Sequence, residues 1–173
     1  MAQDHNLLSV ETVAKRFGNR TLFQNLSFGL AEGEKVALIA RNGTGKTTLL
    51  DLLAGNDSPE EGRIVYRKGI KVEYLPQEPQ LDGHKTILDQ VLDVDNPLTG
   101  AILQYERALE NPEDQEAYQK AFEAMERYQA WDFENQVKQT LGRLGFHQTD
   151  QAIHTLSGGQ QKRVALARVL ISA

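Results

Sequence analysis

The chain contains no cysteine, and none of its apolar runs approaches the roughly 20 residues needed to cross a bilayer. The first absence excludes disulfide stapling and zinc-thiolate sites and favours a reducing compartment. The second excludes a membrane-spanning helix, and the opening MAQDHN lacks the apolar core of a signal peptide. The expected setting is therefore cytoplasmic. Internal repeats and low-complexity tracts are also missing. The four histidines (His5, His84, His147, His154) show no ligand spacing, so no metal site of their own is expected.

Positive charge is in short supply as well: 19 Lys and Arg stand against 24 Asp and Glu. The imbalance concentrates between Ala101 and Gln136, where nine acidic residues face only Arg107, Lys120 and Arg127. Phosphate binding wants the opposite sign. A solvated helical face accounts for such a stretch; contact with a basic protein, or with RNA through sparse arginines, are the alternatives. With 173 residues and 40% apolar content, the chain can bury about 70% of its unfolded surface as one domain.

Two motifs carry chemistry. The first is Ala40-Arg41-Asn42-Gly43-Thr44-Gly45-Lys46-Thr47. A loop that wraps a triphosphate must aim several backbone N–H groups inward, and Gly43 and Gly45 permit such turns without a Cβ clash. Lys46 places a cation among β- and γ-phosphate oxygens, Thr47 offers a hydroxyl to Mg²⁺, and the helix starting there adds its positive N-terminal end. Lys35–Ile39 (KVALI) reads as a short buried strand before the loop, and Thr48–Leu53 as the helix after it. Ala40 stands where the strict motif has glycine. At φ > 0 alanine would cost about 1–2 kcal/mol, whereas at a strand end with φ < 0 it costs almost nothing, and the second reading is adopted.

The second motif is Leu156-Ser157-Gly158-Gly159-Gln160. Ser157 followed three residues later by Gln160 is a capping-box pattern opening a helix. Gly158 and Gly159 leave the first helical N–H groups uncovered, an anion site facing outward and suited to a γ-phosphate brought from elsewhere. The helix that follows, Gln161 to Leu170, is apolar around much of its circumference and is expected to be mostly buried.

Before the first motif, alternation in Leu7–Val13 and Leu22–Phe28 predicts antiparallel strands of a small sheet. Arg63–Tyr66 and Lys71–Leu75 predict two more, with turn signals at Glu61-Gly62 and Lys68-Gly69. After Pro79 the period becomes helical. Ile87, Val91 and Leu92 mark one helix, Leu98–Glu110 a second, Asp114–Gln129 a third, and Phe133, Val137, Leu141 and Leu144 one face of a fourth. Residues 81–148 should be all-helical, with the most mobile part near Glu110–Glu116, where Asn111-Pro112 breaks the pattern.

These residues resemble an ATP-binding cassette ATPase along essentially the whole chain. The resemblance implies an α/β fold: a P-loop NTPase core of mixed sheet and flanking helices, with a helical subdomain carrying an arm insertion. The expected division is 1–80 for the nucleotide-binding core, 81–155 for the helical subdomain and 156–173 for the signature motif and its helix. ATP and Mg²⁺ are the implied cofactors. Nucleotide contacts fall to Asn42, Gly43, Thr44, Gly45, Lys46, Thr47 and Thr48, and, from a facing cassette, to Ser157, Gly158, Gly159 and Gln160. Tyr74-Leu75-Pro76-Gln77-Glu78-Pro79 resembles the family's glutamine loop, which makes Gln77 a sensor of Mg²⁺ or attacking water. Lys46 and Gln77 are the catalytic candidates, and Thr47 and Gln77 the metal contacts. Phe17 fits the aromatic that stacks on adenine; the plain alternative is an ordinary core or edge-strand ring.

Met125–Glu134 (MERYQAWDFE), running into Leu141–Phe146, resembles the ABC-F branch, in which two cassettes share one polypeptide without a membrane domain. There the helices resembling 98–129 form an arm, at whose base Trp131 would pack. Members of the branch mostly act on the ribosome, so the resemblance implies a ribosome-associated ATPase contacting RNA and protein. It also implies head-to-tail pairing with a second cassette, the P-loop of one against the signature of the other. The family's magnesium aspartate, catalytic glutamate and switch histidine follow the signature helix, so this stretch is expected to be part of a cassette with little nucleotide affinity or turnover alone. Two rivals share the motifs: the ATPase subunit of a membrane transporter, and a non-catalytic interaction module.

Overall fold

The computed structural model describes residues 6–93 and 96–172, which fall into two compact units, Met1–Val72 and Glu73–Ala173. In the first unit, β1 (Asn6–Phe17) and β2 (Arg20–Ala31) form a hairpin, and β3 (Glu61–Tyr66) pairs with the other side of β1. All pairings are antiparallel, in the order β2-β1-β3. One helix, α1 (Lys46–Ala54), packs on this sheet through Leu52, which is buried with Val10 and Val13 against Phe23, Phe28 and Ile64. Burying a leucine of this kind contributes about 1.5–3 kcal/mol.

β1 is bulged at Thr12, which sits at φ +49° and donates its N–H to Ser27 Oγ at 2.8 Å. β3 crosses that bulge at Gly62. A Cβ there would lie 2.3 Å from the Glu11 carbonyl oxygen, so only glycine fits. Gly62 is thus a strand residue in close backbone approach and not the turn its composition suggests. Helix α1 ends at Gly55 in the left-handed region, with the Asn56 N–H donating to the Asp51 carbonyl at 2.9 Å, as helix C-termini commonly do. Beyond it, Lys15 Nζ lies 2.7 Å from Asp57 Oδ2 and donates to the Ser58 carbonyl, which fastens the loop to the sheet.

Two expected strands are not strands. Lys35–Ile39 and Lys71–Leu75 join no ladder among the described residues. Lys35–Ile39 is also not buried: Ile39 is 90% and Val36 61% exposed. The reason is that a parallel central strand takes its ladder and its two-sided burial from neighbouring strands, and no described strand pairs with these residues. The described sheet is accordingly antiparallel, where a mixed sheet was expected.

The second unit is helical. Its elements are α2 (Ile87–Val91), α3 (Pro97–Glu110), α4 (Gln115–Tyr128), α5 (Trp131–Arg143), a single 3₁₀ turn (Ile153–Thr155) and α6 (Gly158–Ser172). Side-chain caps set three of the starts. The Thr86 hydroxyl accepts from the Asp89 N–H, Asn96 Oδ1 from Leu98, with Pro97 at the first helical position, and Asp114 Oδ1 from Ala117. The core gathers Ile87, Val91, Ile102, Met125, Leu141 and Val164. The segment Asn111–Asp114 breaks the helical run as its proline demands, and residues 111–120 are exposed. Helix α6 is only partly buried, through Val164, Ala165 and Ala167, while Leu170 is exposed.

Candidate nucleotide-binding residues

Helix α1 begins at Lys46 after Gly45, which adopts φ +97° and offers no side-chain cap. Gly43 is also left-handed, at φ +76°, while Ala40 is not among the described non-glycine residues with positive φ. Alanine at position 40 therefore carries no left-handed strain. Among the described residues nothing accepts from the backbone N–H groups of residues 43–48; the first helical bond is Leu49 N–H to the Gly45 carbonyl at 2.8 Å. The result is a run of free donors on a curved loop at a helix start, a cradle for an anion.

The loop's carbonyls are managed differently. Lys46 Nζ donates to the Ala40 and Arg41 carbonyls, each at 2.8 Å, and the Thr44 hydroxyl donates to the Arg41 carbonyl at 2.8 Å. These bonds hold the acceptors on one side and leave the donors open. Thr47 is exposed. A Cβ on Gly45 would lie 3.0 Å from Leu22 Cβ and 3.2 Å from a Phe23 ring carbon, so the loop rests on β2. Phe17 pairs with Arg20, close to that contact, and is 80% exposed. The hairpin thus carries the loop and an uncovered aromatic ring near one end. Leu22 and Phe23, which support the loop, read in the sequence only as strand residues.

The signature residues lie in the other unit. Ser157 N–H donates to Gln160 Oε1 at 2.8 Å, and Gln160 N–H donates to Ser157 Oγ at 3.3 Å, which completes the capping box. Gly158 and Gly159 are exposed, and a Cβ on either would meet nothing within 4 Å. Their contribution is an uncovered helix start, since nothing described accepts from their N–H groups. Two residues outside the motif hold it. Gln161 Nε2 donates to the Ile153 and Leu156 carbonyls, and Arg163 donates to the Leu144 carbonyl at 2.8 Å with its guanidinium 5.4 Å from the Phe146 ring centroid. Gln161 and Arg163, polar residues in a helix expected to be mostly buried, were the available signal. Gln77 is exposed and belongs to the same unit as the signature.

The structure thus assembles two separate groups, residues 42–48 and residues 157–160, each within its own unit. Among the described residues no cluster of His, Cys, Asp or Glu suits a metal ion, and no helix is long and apolar enough to cross a membrane.

Comparison with known proteins places this geometry. The profile of the ABC transporter family matches residues 23–173. The ABC transporter ATP-binding protein YfmR of Bacillus subtilis (strain 168), described as uncharacterized, is 37% identical over 173 residues, covering 96% of this chain. The energy-dependent translational throttle protein EttA of Haemophilus influenzae is 31% identical over 160 residues, covering 88% of this chain. The chain spans only 28% and 29% of the lengths of these two relatives. Among solved structures, an ATP-binding subunit of an ABC transporter superposes with a TM-score of 0.65 at 20% identity, over 95% of this chain and 62% of that one. At that identity the likeness is one of fold.

Proposed function

Because the chain belongs to the ABC transporter family of ATP-binding cassettes, we propose that it forms part of the nucleotide-binding cassette of an ABC-F type ATPase, which couples ATP binding and hydrolysis to conformational change on the ribosome. The observation that carries the nucleotide reading is the unpaired run of N–H groups from Gly43 to Thr48 at the uncapped start of α1. These residues fit a triphosphate. Six consecutive free amides on a left-handed glycine loop supply donors, and Lys46 supplies the cation once its ammonium leaves the Ala40 and Arg41 carbonyls.

In this reading Asn42 to Thr48 bind and orient the phosphates, and Thr47 presents its hydroxyl to Mg²⁺. Phe17 covers one face of the adenine. Mg-ATP, when bound, supplies the γ-phosphoryl group that hydrolysis transfers to water. Lys46 would stabilise charge developing on the phosphate oxygens, and Gln77 would sense the metal or orient the water. Ser157, Gly158, Gly159 and Gln160 would face the γ-phosphate held by a second cassette in head-to-tail arrangement, so that ATP closes the pair and hydrolysis releases it.

The ribosomal part rests on the sequence run Met125–Glu134 and on the relative named as a translational throttle. The family profile that matches residues 23–173, that of ABC transporters, favours a second reading, in which the helical unit docks a membrane partner. Co-sedimentation with ribosomes of the full-length protein, with and without ATP and with Lys46→Ala, separates the two. ATP-dependent ribosome binding that Lys46→Ala alters supports the ABC-F reading; absence of ribosome binding under every nucleotide condition refutes it.

A further inference from the structure

The hairpin of α3 and α4 has two unlike faces. On one, Tyr105, Tyr118, Phe122 and Trp131 form a closed circuit of rings. Tyr105 touches Tyr118 and Trp131 at centroid distances of 5.9 and 5.0 Å, and Phe122 touches Trp131 and Tyr118 at 5.5 and 6.3 Å. The circuit is not buried. Tyr118 is 37% and Phe122 36% exposed, and Leu109, one turn beyond Tyr105, is 47% exposed. Three carboxylates lie beside it, of which Glu126 is exposed, Glu106 half-buried and Glu134 buried. Glu126 accepts from the Trp131 indole N–H, and Glu134 and Glu106 share Lys138, at 2.6 and 2.8 Å.

The helical period puts the basic residues elsewhere. Arg107 lies two positions from both Tyr105 and Leu109, and Lys120 two from both Tyr118 and Phe122, on the far side of each helix. The far side is a groove between α3 and α4. Lys120 and Arg127 line a hollow of about 600 Å³ there, and Arg107 and Lys120 an adjoining one of about 420 Å³. The three bases of the 101–136 stretch therefore lie away from the rings, in a groove that also holds Glu123 in the larger hollow and Asp114 in the smaller.

We infer that this aromatic face is a docking surface for an arginine-bearing polypeptide segment. A guanidinium stacks on aromatic rings and can also engage a carboxylate through two parallel N–H groups, and this face offers both partners together. Nucleic acid brings phosphates to a negative rim and is disfavoured. An isologous pair of copies would set rim against rim.

Trp131 is the chain's single tryptophan, so its fluorescence reports occupancy without a label. The probe is a ten-residue arginine peptide titrated at moderate salt, with single-stranded poly(A) RNA as the counter-probe. The peptide should shift Trp131 emission saturably. Phe122→Ala and Tyr118→Ala should each weaken the apparent affinity at least tenfold. Glu126→Gln, which keeps side-chain volume and an acceptor for the indole, should weaken it about threefold. Arg107→Ala and Glu32→Gln, the latter in the other unit, should leave it unchanged. Circular dichroism confirms that each variant retains its helices, and if Phe122→Ala does not, Tyr118→Ala and Glu126→Gln decide the question. The inference is overturned if the emission does not respond, if the response is indifferent to those substitutions, if RNA produces it instead, or if sedimentation shows that copies of this chain pair through this face.

Discussion

Helices α1 and α6 both begin at glycine-rich sequences, yet they finish their first turns in different ways. At α6, Ser157 and Gln160 satisfy each other's backbone N–H groups and leave only the Gly158 and Gly159 amides open. At α1 no side chain caps anything, and the amides of residues 43–48 are all without an acceptor. An orphaned helix start costs stability unless something occupies it, whereas a boxed start holds its shape alone. The contrast assigns the two ends different parts: α1 begins as a receptor completed by its ligand, and α6 as a preformed surface presented to a ligand held elsewhere.

The substitution that breaks this contrast most severely is Lys46→Ala. Without the ammonium the cradle keeps its amides but loses its cation, and ATP hydrolysis by the full-length protein should fall to background in a phosphate-release assay. Gly45→Ala comes next. Its Cβ would press on Leu22 and Phe23 in a left-handed conformation, at a cost of about 1–2 kcal/mol for the conformation alone. ATP affinity measured by calorimetry should drop about tenfold or more, with α6 unaffected. Ser157→Ala removes the box and should cost about 1 kcal/mol of stability, read as a lowered denaturation midpoint.

The smallest expected effect is a pH effect at the loop after α1. The hydrogen bond from Lys15 holds the Asp57 carboxyl below the usual carboxylate range. A lowered folded value means that this contribution is present above the ordinary aspartate pKa and lost as pH falls through the folded one. Asp57→Asn should therefore lower stability slightly in the neutral region, leave the most acid region unchanged, and so flatten the acid limb of the profile.

Local signals made much of this legible beforehand. The β1–β2 hairpin announces itself by alternation, four helices of the second unit by period, and the start of α6 by Ser157 and Gln160, because each depends on residues within a few positions. Lys35–Ile39 shows where that stops: KVALI has the composition of a buried strand, but a strand is made by its neighbours, and composition does not say whether one stands alongside. Gly62 misleads for a related reason. Its composition suggests a turn, while its need for glycine comes from the carbonyl of Glu11 fifty-one positions away in the chain. Trp131, expected to pack at the base of the arm, does pack against the helical core, and it also meets the rings of Tyr105 and Phe122. The pairs Tyr105/Leu109 and Tyr118/Phe122, each four apart, were the trace that face left in the sequence.

The central claim is that the free amides at the start of α1 are a phosphate receptor. Amide ¹H–¹⁵N resonances recorded while Mg-ATP is titrated into the chain test it most directly. The account expects the largest shifts at Gly43, Gly45, Lys46, Thr47 and Thr48, saturating together and weakened at least tenfold by Lys46→Ala. Shifts centred on any other segment, or none at millimolar Mg-ATP, would contradict it.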